Sequence, residues 1–446
     1  MARKMKDSGI EWIGVIPDGW SIHRLKSCVL ERDSGAWGSD ASGNDGDMIC
    51  LRIADFDYGR YRFKDVENPV RRNYDKATIE RLVLKKNDLL VEKSGGGDKT
   101  PVGRMVMFDK DYPALYANFM DRLRCRNFVI PKWFLYLWNT FYSNGYVWSY
   151  IKQTTGLQNY DLTGMLTGEK VALPSLKEQQ QIADFLDAKC ASIDDVIAKT
   201  NVSIEEYKKL KQALISDAVT KGVRGKRPMR DSGIDWIGQI PKEWNVVALR
   251  YLGQCQNGIS KGAEFFGSGY PFVNYSDVYK NTELPKNVDG LVQSTAEERE
   301  RYSVKRGDIF FTRTSETIEE IGFTSVCTKD IENATFAGFL IRVRPIDDSL
   351  NPDYAKYYFR SDIHRRYFVK EMIIVIRASL GQELLKKLPV LLPSKDEQQE
   401  IADYLDSKCA SIDTLISKKQ QFIDELTAYK KSLIYEYVTG KKEVPA

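Results

Sequence analysis

The sequence predicts an α+β protein with two globular bodies of mixed strands and helices. Two long antiparallel coiled-coil helices separate them in a pseudo-two-fold internal repeat. Three observations predict it. KDSGIEWIGVIPDGW at 6–20 returns as RDSGIDWIGQIPKEW at 230–244, with ten of fifteen positions identical. EQQQIADFLDAKCASID at 178–194 returns as EQQEIADYLDSKCASID at 397–413, with fourteen of seventeen matching at an offset of 219. Beyond each of these second echoes, apolar residues recur every three or four positions, as in a helix with one buried stripe.

The division that follows is a first body over 1–172, a long helix over 173–222, a second body over 223–391, and a second long helix with its tail over 392–446. A chain of 446 residues is long enough for several cores. Its 42% hydrophobic and 29% charged residues are ordinary for a globular protein. No apolar run of about 18 residues exists, so no membrane span is expected. MARKMKDSG at the start is basic without an apolar core, which argues against secretion. Seven cysteines, scattered without metal-ligand spacing, suit a reducing cytoplasm. His23 and His364 leave little for a histidine-rich metal site. The net charge is +4 over residues 21–172 and +1 over 245–391, so any nucleic-acid-binding face must come from local arrangement.

Each long helix opens on an S-x-x-E capping box, Ser175 to Glu178 and Ser394 to Glu397, behind Pro174 and Pro393. The first stripe runs Ile182, Leu186, Cys190, Ile193, Ile197, Ile204, Tyr207, Leu214. The second runs Ile401, Leu405, Cys409, Ile412, Ile416, Ile423, Leu426, Leu433. Gly222 and Gly440 lie where helices commonly stop. Each helix then spans about 43 residues, roughly 64 Å. The other reading is a helical hairpin inside one core, and that length argues against it. An antiparallel pair is the simplest arrangement, because the chain returns through a body each time.

The bodies keep a common plan while their residues diverge. VLKKNDLLVEKS (83–94) sits opposite SVKRGDIFFTRT (303–314), a turn at Asp88 or Asp308 feeding an apolar strand. ALYANFMDRLRC (114–125) sits opposite ATFAGFLIRVRP (334–345), another strand in both. CLRIADFD (50–57) sits opposite FVNYSDVY (272–279). KGVRGKRPMR (221–230) carries five basic residues and no acid, a solvated linker or at most a phosphate contact. One frame holding two different heads suits a target with two unlike halves; identical heads would suit a palindrome.

Four motifs suggest catalysis and fail on their context. Phe265-Phe266-Gly267-Ser268-Gly269 fits an S-adenosylmethionine loop, but QCQNGISKGAE before it is no buried strand. Asn351-Pro352-Asp353-Tyr354 reads more simply as a helix start with proline in its first turn. Ser94-Gly95-Gly96-Gly97-Asp98-Lys99-Thr100 misses the glycine spacing of a phosphate loop. Glu206-Tyr207-Lys208 lies mid-helix without a nuclease's upstream aspartate. Cys190 and Cys409 sit on the apolar stripes and read as buried thiols.

With both echoes and the LPSLKEQQQIADFLD and LPSKDEQQEIADYLD helix openings, the whole chain resembles the specificity subunit of type I restriction-modification systems. The resemblance implies two target-recognition domains, each reading one half of a bipartite asymmetric DNA sequence. It implies helices that act as spacer and as docking site for methyltransferase (modification) subunits, two per chain. Restriction (motor-nuclease) subunits would join through the complex. It implies no catalysis and no cofactor on this chain, double-stranded DNA as ligand, and a cytoplasmic location.

Candidate DNA-reading side chains lie on loops beside the strands. The first body offers Lys93, Ser94, Gln158, Asn159 and Tyr160. The second offers Arg313, Thr314, Ser315, Arg377, Ser379 and Gln382. Arginine can bind guanine in a bidentate way, and asparagine or glutamine adenine, each pair discriminating by about 1–3 kcal/mol. Some of these residues are expected to be turn residues or phosphate contacts. Trp12 and Trp236 either anchor the opening segments against a helix or face a partner. Half-site centres are expected about 34 Å apart, one helical turn of DNA. The competing readings are a free-standing DNA adenine methyltransferase and a coiled-coil scaffold without nucleic-acid function.

Overall fold

The structure, a computed structural model, describes residues 3–97, 100–154, 156–315, 320–371 and 378–445. It divides into two compact units, Met1–Asn201 with Gln420–Ala446, and Val202–Lys419. The division falls inside both long helices, so each unit holds one body and half of each helix.

In the first unit a central sheet is built from β1 (Val29–Ser34), β2 (Leu89–Glu92), β3 (Met105–Met107) and β4 (Met120–Cys125), in the order β1-β4-β2-β3. All three pairings are antiparallel. Alternation along β2 sends Leu89 and Val91 towards α1 (Pro131–Ser143), and Leu90 to a second core with Val106 and Tyr116. Because both faces are covered, the strand reads as an unbroken apolar run. The turn before it is fixed by Asp88, which accepts from Lys85 N at 2.8 Å and holds Arg124 through both carboxylate oxygens, at 2.8 and 3.0 Å.

The second unit repeats this order with β5 (Gly253–Asn257), β6 (Ile309–Thr312), β7 (Thr324–Val326) and β8 (Leu340–Pro345), as β5-β8-β6-β7. Asp308 holds Arg344 as Asp88 holds Arg124, at 2.7 and 2.6 Å. In both units the segment expected as one strand is two. Ala114–Tyr116 and Thr335–Phe336 each end in a turn before β4 and β8, because Met120 N and Leu340 N donate back to Ala117 O and Ala337 O.

A two-stranded ladder leads into each long helix, Ser21–Arg24 with Lys170–Leu173 and Asn245–Ala248 with Pro389–Leu392. The proline that follows removes a donor and ends the pairing. Then come α2 (Leu176–Lys221, 46 residues), α3 (Pro352–Tyr358) in the second body, and α4 (Lys395–Val438, 44 residues). Only half of each expected capping box forms: Ser175 and Ser394 accept from Glu178 N and Glu397 N at 3.3 and 3.4 Å. The carboxylates serve the tertiary fold instead. Glu178 accepts from Trp20 Nε1 at 3.0 Å and pairs with Arg3 at 2.6 Å; Glu397 does the same with Trp244 and Arg227, at 3.0 and 2.5 Å.

The next residue does more. Gln179 is fully buried, accepts from Ile130 N at 2.8 Å, and donates to Phe128 O and Pro174 O at 3.1 and 3.0 Å. Gln398 makes the same three bonds to Asn351 N, Ser349 O and Pro393 O. Each glutamine ties the start of a long helix to the start of its body's own helix, α1 or α3.

The apolar stripes are shared between body and helix partner. In the first unit Ile182, Leu186, Cys190 and Ile193 of α2 join the body core together with Leu433, Ile434 and Tyr437 of α4. Phe185 lies 4.6 Å from Tyr437, and Asp194 binds Lys430 at 2.7 Å, so the two segments run in opposite directions. In the second unit Ile401, Leu405 and Cys409 join Ile215, Ala218 and Val219, and Lys211 binds Asp413 at 2.7 Å. Those two ion pairs are equivalent under the 219-residue repeat. Lys430 is 9% exposed and also donates to Gly59 O, whereas Lys211 is 28% exposed.

Gly222 and Gly440 end the helices with φ of +73° and +71°, where a Cβ would meet Arg227 and Pro17 at 2.0 and 2.5 Å. The opening segments pack beneath them. Trp12 is buried against Phe141 of α1 at 4.6 Å, and Tyr435 of α4 donates to its carbonyl. Trp236 is half-buried, 5.8 Å from Tyr367. The basic linker is not merely solvated: Arg224 grips Glu400 at 2.7 and 2.8 Å, and Arg227 bridges Glu397, Glu243 and Lys221 O. Among the described residues no helix is long and apolar enough to cross a membrane.

Gln179→Ala strands one buried donor and two carbonyls, and should destabilise the first unit by more than about 2 kcal/mol. Gln180→Ala, at an exposed position, should stay within about 0.5 kcal/mol in the same denaturant titration. In that assay Lys430→Met should cost about 3 kcal/mol, leaving Asp194 unpaired in a nearly closed site. Lys211→Met should cost under about 1 kcal/mol.

Candidate nucleic-acid interface

Beyond β2 the chain leaves the central sheet through Lys93 and forms a small separate ladder. Ser94–Gly95 pairs with Leu157–Tyr160, which pairs with Ile151–Thr154. Beyond β6 it leaves through Arg313, and Thr314–Ser315 pairs with Ala378–Ser379. Lys93 and Arg313 occupy the same backbone position. Each donates its N–H to the carbonyl of a turn phenylalanine, Phe119 or Phe339, at 2.8 and 2.9 Å. Each accepts at its carbonyl from the later strand, Tyr160 N at 2.8 Å or Leu380 N at 2.7 Å. The topology therefore gathers candidates distant in sequence onto one edge in each unit.

Their side chains differ. Lys93 Nζ donates to Ser34 Oγ at 3.0 Å and pairs with Asp121 at 3.3 Å. An ammonium has three N–H bonds, so one remains for a ligand. Asp121 is fully buried and also binds Arg32 Nε at 2.8 Å. Sequence reasoning missed Asp121 and Arg32 as positioning groups. Asp121 was visible in MDRLRC, but its role depends on β1 lying beside β4. In the second unit the guanidinium of Arg313 makes no hydrogen bond or ion pair among the described residues. Among the described residues none of its five donors is taken.

The other candidates separate into two groups. Ser94 Oγ donates to Asn159 Oδ1 at 2.5 Å, and Asn159 is exposed. Gln158 and Tyr160 face inward, which corrects their expected place on the surface: alternation along 157–160 buries every second residue. Gln158 Oε1 accepts from Val102 N at 3.2 Å, and the Tyr160 hydroxyl donates to the Met165 sulfur beside Trp138. Both support the ladder that displays Asn159. In the second unit Thr314 is partly exposed and stands opposite the exposed Ser379. Gln382 Nε2 donates to Asn257 Oδ1 at 2.9 Å. Arg377 and the side chain of Ser315 lie outside the described residues.

The tempting catalytic motifs have structural explanations. Phe266–Val273 is exposed over FGSGY, unlike the buried strand a cofactor loop follows. Asn351 caps α3 by accepting from Asp353 N at 2.8 Å and donates to Gln399. Burial pushes the Cys190 thiol up to about 11. Among the described residues no group of three or more His, Cys, Asp or Glu is placed to hold a metal ion.

Duplicated long helices, each leading out of a mixed-sheet body with a polar edge beside its central sheet, define a two-bodied internal-repeat protein. The family model for the type I restriction modification DNA specificity domain matches residues 57–206 and 241–425, and the chain belongs to that family. It is a DNA sequence-specificity subunit of a type I restriction-modification system. It is 26% identical to the type I restriction enzyme MjaVIII specificity subunit of Methanocaldococcus jannaschii, over 83% of this chain and 82% of that one. It is 22% identical to the EcoKI specificity subunit of Escherichia coli K12, over 96% of this chain and 90% of that one. Among solved structures, its fold is similar to a chain from work on complex assembly and conformational transition of the type I R-M system. The TM-score there is 0.71 at 17% identity, covering 96% and 99% of the two chains. The HsdS subunit from Thermoanaerobacter tengcongensis gives a TM-score of 0.51 at 16% identity, covering 96% and 98%.

Arg313→Ala should cost about 1–3 kcal/mol in binding to the cognate duplex and relax preference at one base pair. Lys93→Ala should cost less, because Lys93 Nζ is already paired with Asp121 and Ser34. Competition titrations against duplexes substituted one base pair at a time check both, and equal losses on every duplex would make Arg313 a phosphate contact.

Proposed function

We propose that the chain is a non-catalytic addressing subunit whose two heads each read one half of an asymmetric, bipartite DNA target. The observation that carries this is the contrast at one shared backbone position. Lys93 is restrained by Asp121 and Ser34, and Arg313 is unrestrained among the described residues. Lys93, Ser94 and Asn159 form the reading edge of the first head, with Gln158 and Tyr160 behind them. Arg313, Thr314, Ser379 and Gln382 form that of the second, with Ser315 and Arg377 assigned from sequence.

α2 and α4 act as an antiparallel coiled-coil spacer and as the docking site for methyltransferase subunits, two per chain, with restriction subunits joining through the complex in the cytoplasm. Apolar side chains left in water on the helices support docking. These are Val196, Phe422 and Tyr429 in the first unit, and Val202, Leu210 and Leu415 in the second. The names of the family and its relatives support the type I setting. The division into recognition domains over 1–172 and 223–391, with spacer segments over 173–222 and 392–446, is part of the same proposal.

Genome-wide mapping of methylated adenine, with and without this gene, should reveal one two-part motif that vanishes on deletion. Removing one helical turn from both α2 and α4 should change the gap between the half-sites and leave each half-sequence intact. An unaltered gap would end the spacer role.

A further inference from the structure

Phe339 is the most exposed large apolar side chain among the described residues, at 65%, and Phe119 is half exposed, at 50%. Both stand at the third position of a tight turn, Ala117 to Met120 and Ala337 to Leu340, closed by an N–H to carbonyl bond of 3.1 or 2.9 Å. Turns of this kind favour glycine, asparagine, aspartate or serine near their tip, and a large aromatic ring there gains nothing for the turn. The residues on either side of the tip, Ala117, Met120, Ala337 and Leu340, are buried, so each ring is aimed outward by its own backbone. The bodies have otherwise diverged, yet both copies keep phenylalanine here: YANFMD and FAGFLI.

The carbonyl of each phenylalanine accepts from the N–H of Lys93 or Arg313. Each ring is thus rooted one hydrogen bond away from the residue placed at the centre of its head's reading edge. The two arginines nearest Phe119, Arg52 and Arg72, are paired with Asp55 and Asp40. In the first unit Phe119 also borders a cavity of about 440 Å³ lined by Trp37, Ile53 and Arg52, and the Arg72 guanidinium lies 4.8 Å from the Trp37 ring.

We propose that Phe119 and Phe339 are base-contacting wedges. Each ring inserts at a base step of the half-site read by its own head, while Lys93 or Arg313 contacts the adjoining base pair. This rests on the DNA-reading role proposed above and adds to it an apolar, stacking component. Apolar side chains used in this way partly unstack a step, and ring-to-base stacking tolerates any base, so the wedge adds grip and deformability-dependent preference without a hydrogen-bond code.

The test uses the full chain in complex with its methyltransferase subunits, and target duplexes carrying 2-aminopurine at successive positions. The wild-type complex should brighten the probe at one step in each half-site. Phe339→Ala should remove the signal in the second head's half-site only, and weaken binding about 5- to 100-fold. Phe119→Ala should do the same in the other half-site. Phe339→Leu should fall between, since it keeps apolar bulk and loses the ring. Unchanged affinity and unchanged probe signals in both alanine variants would overturn the wedge and leave the reading edge standing. So would failure of the variants to assemble with methyltransferase subunits while free-chain DNA binding holds. If the wild-type complex bound every sequence equally, the reading role itself would fall.

Discussion

The two heads are held in equivalent places by one pair of neighbours at the start of each long helix, Glu178-Gln179 and Glu397-Gln398. The glutamate anchors the opening segment through Trp20 or Trp244, and the glutamine anchors the body through α1 or α3. Three chain segments far apart in sequence therefore meet at the first turn of a helix. A helix N-terminus already favours an anion, so the glutamate sits there at low cost while its other contacts make the meeting rigid. A shift of either head would leave one backbone N–H and one carbonyl of the body, and the glutamine between them, without partners, and this asymmetry penalises alternative docking angles.

On that rigid frame the heads have diverged. The central sheets keep the order of strands, the buried aspartate before the second strand and its arginine clasp. The loops that leave the sheet at Lys93 and Arg313 keep their backbone bonds and change their side chains. A buried carboxylate sits behind the lysine, and in the matching place behind the arginine β8 supplies Ile341. Side chains can change there without disturbing the core, because the edge residues are fixed by main-chain bonds that any side chain permits.

Much of the frame was legible in the sequence because a duplicated pattern reports its own boundaries. Capping serines, stripe spacing and terminal glycines each appear twice. What stayed hidden was where polar side chains go once distant segments meet. SxxE suggested a local reciprocal cap, whereas both glutamates are used across more than 150 residues of sequence. QNY suggested three readers in a row, and the period of a strand exposes only the middle one. ALYANFMDRLRC looked like one strand because nothing in its apolar pattern marks the turn at Phe119, which the bond from Met120 N to Ala117 O closes and the bond from Lys93 N holds against the next strand.

The arginines between the first helix and the second body are closed off by Glu397, Glu400 and Glu243. Each side chain so occupied is one fewer phosphate-bound cation on random duplex, and one fewer counterion released there. Internal pairing of these arginines thus weakens the pull that random duplex exerts on this part of the chain.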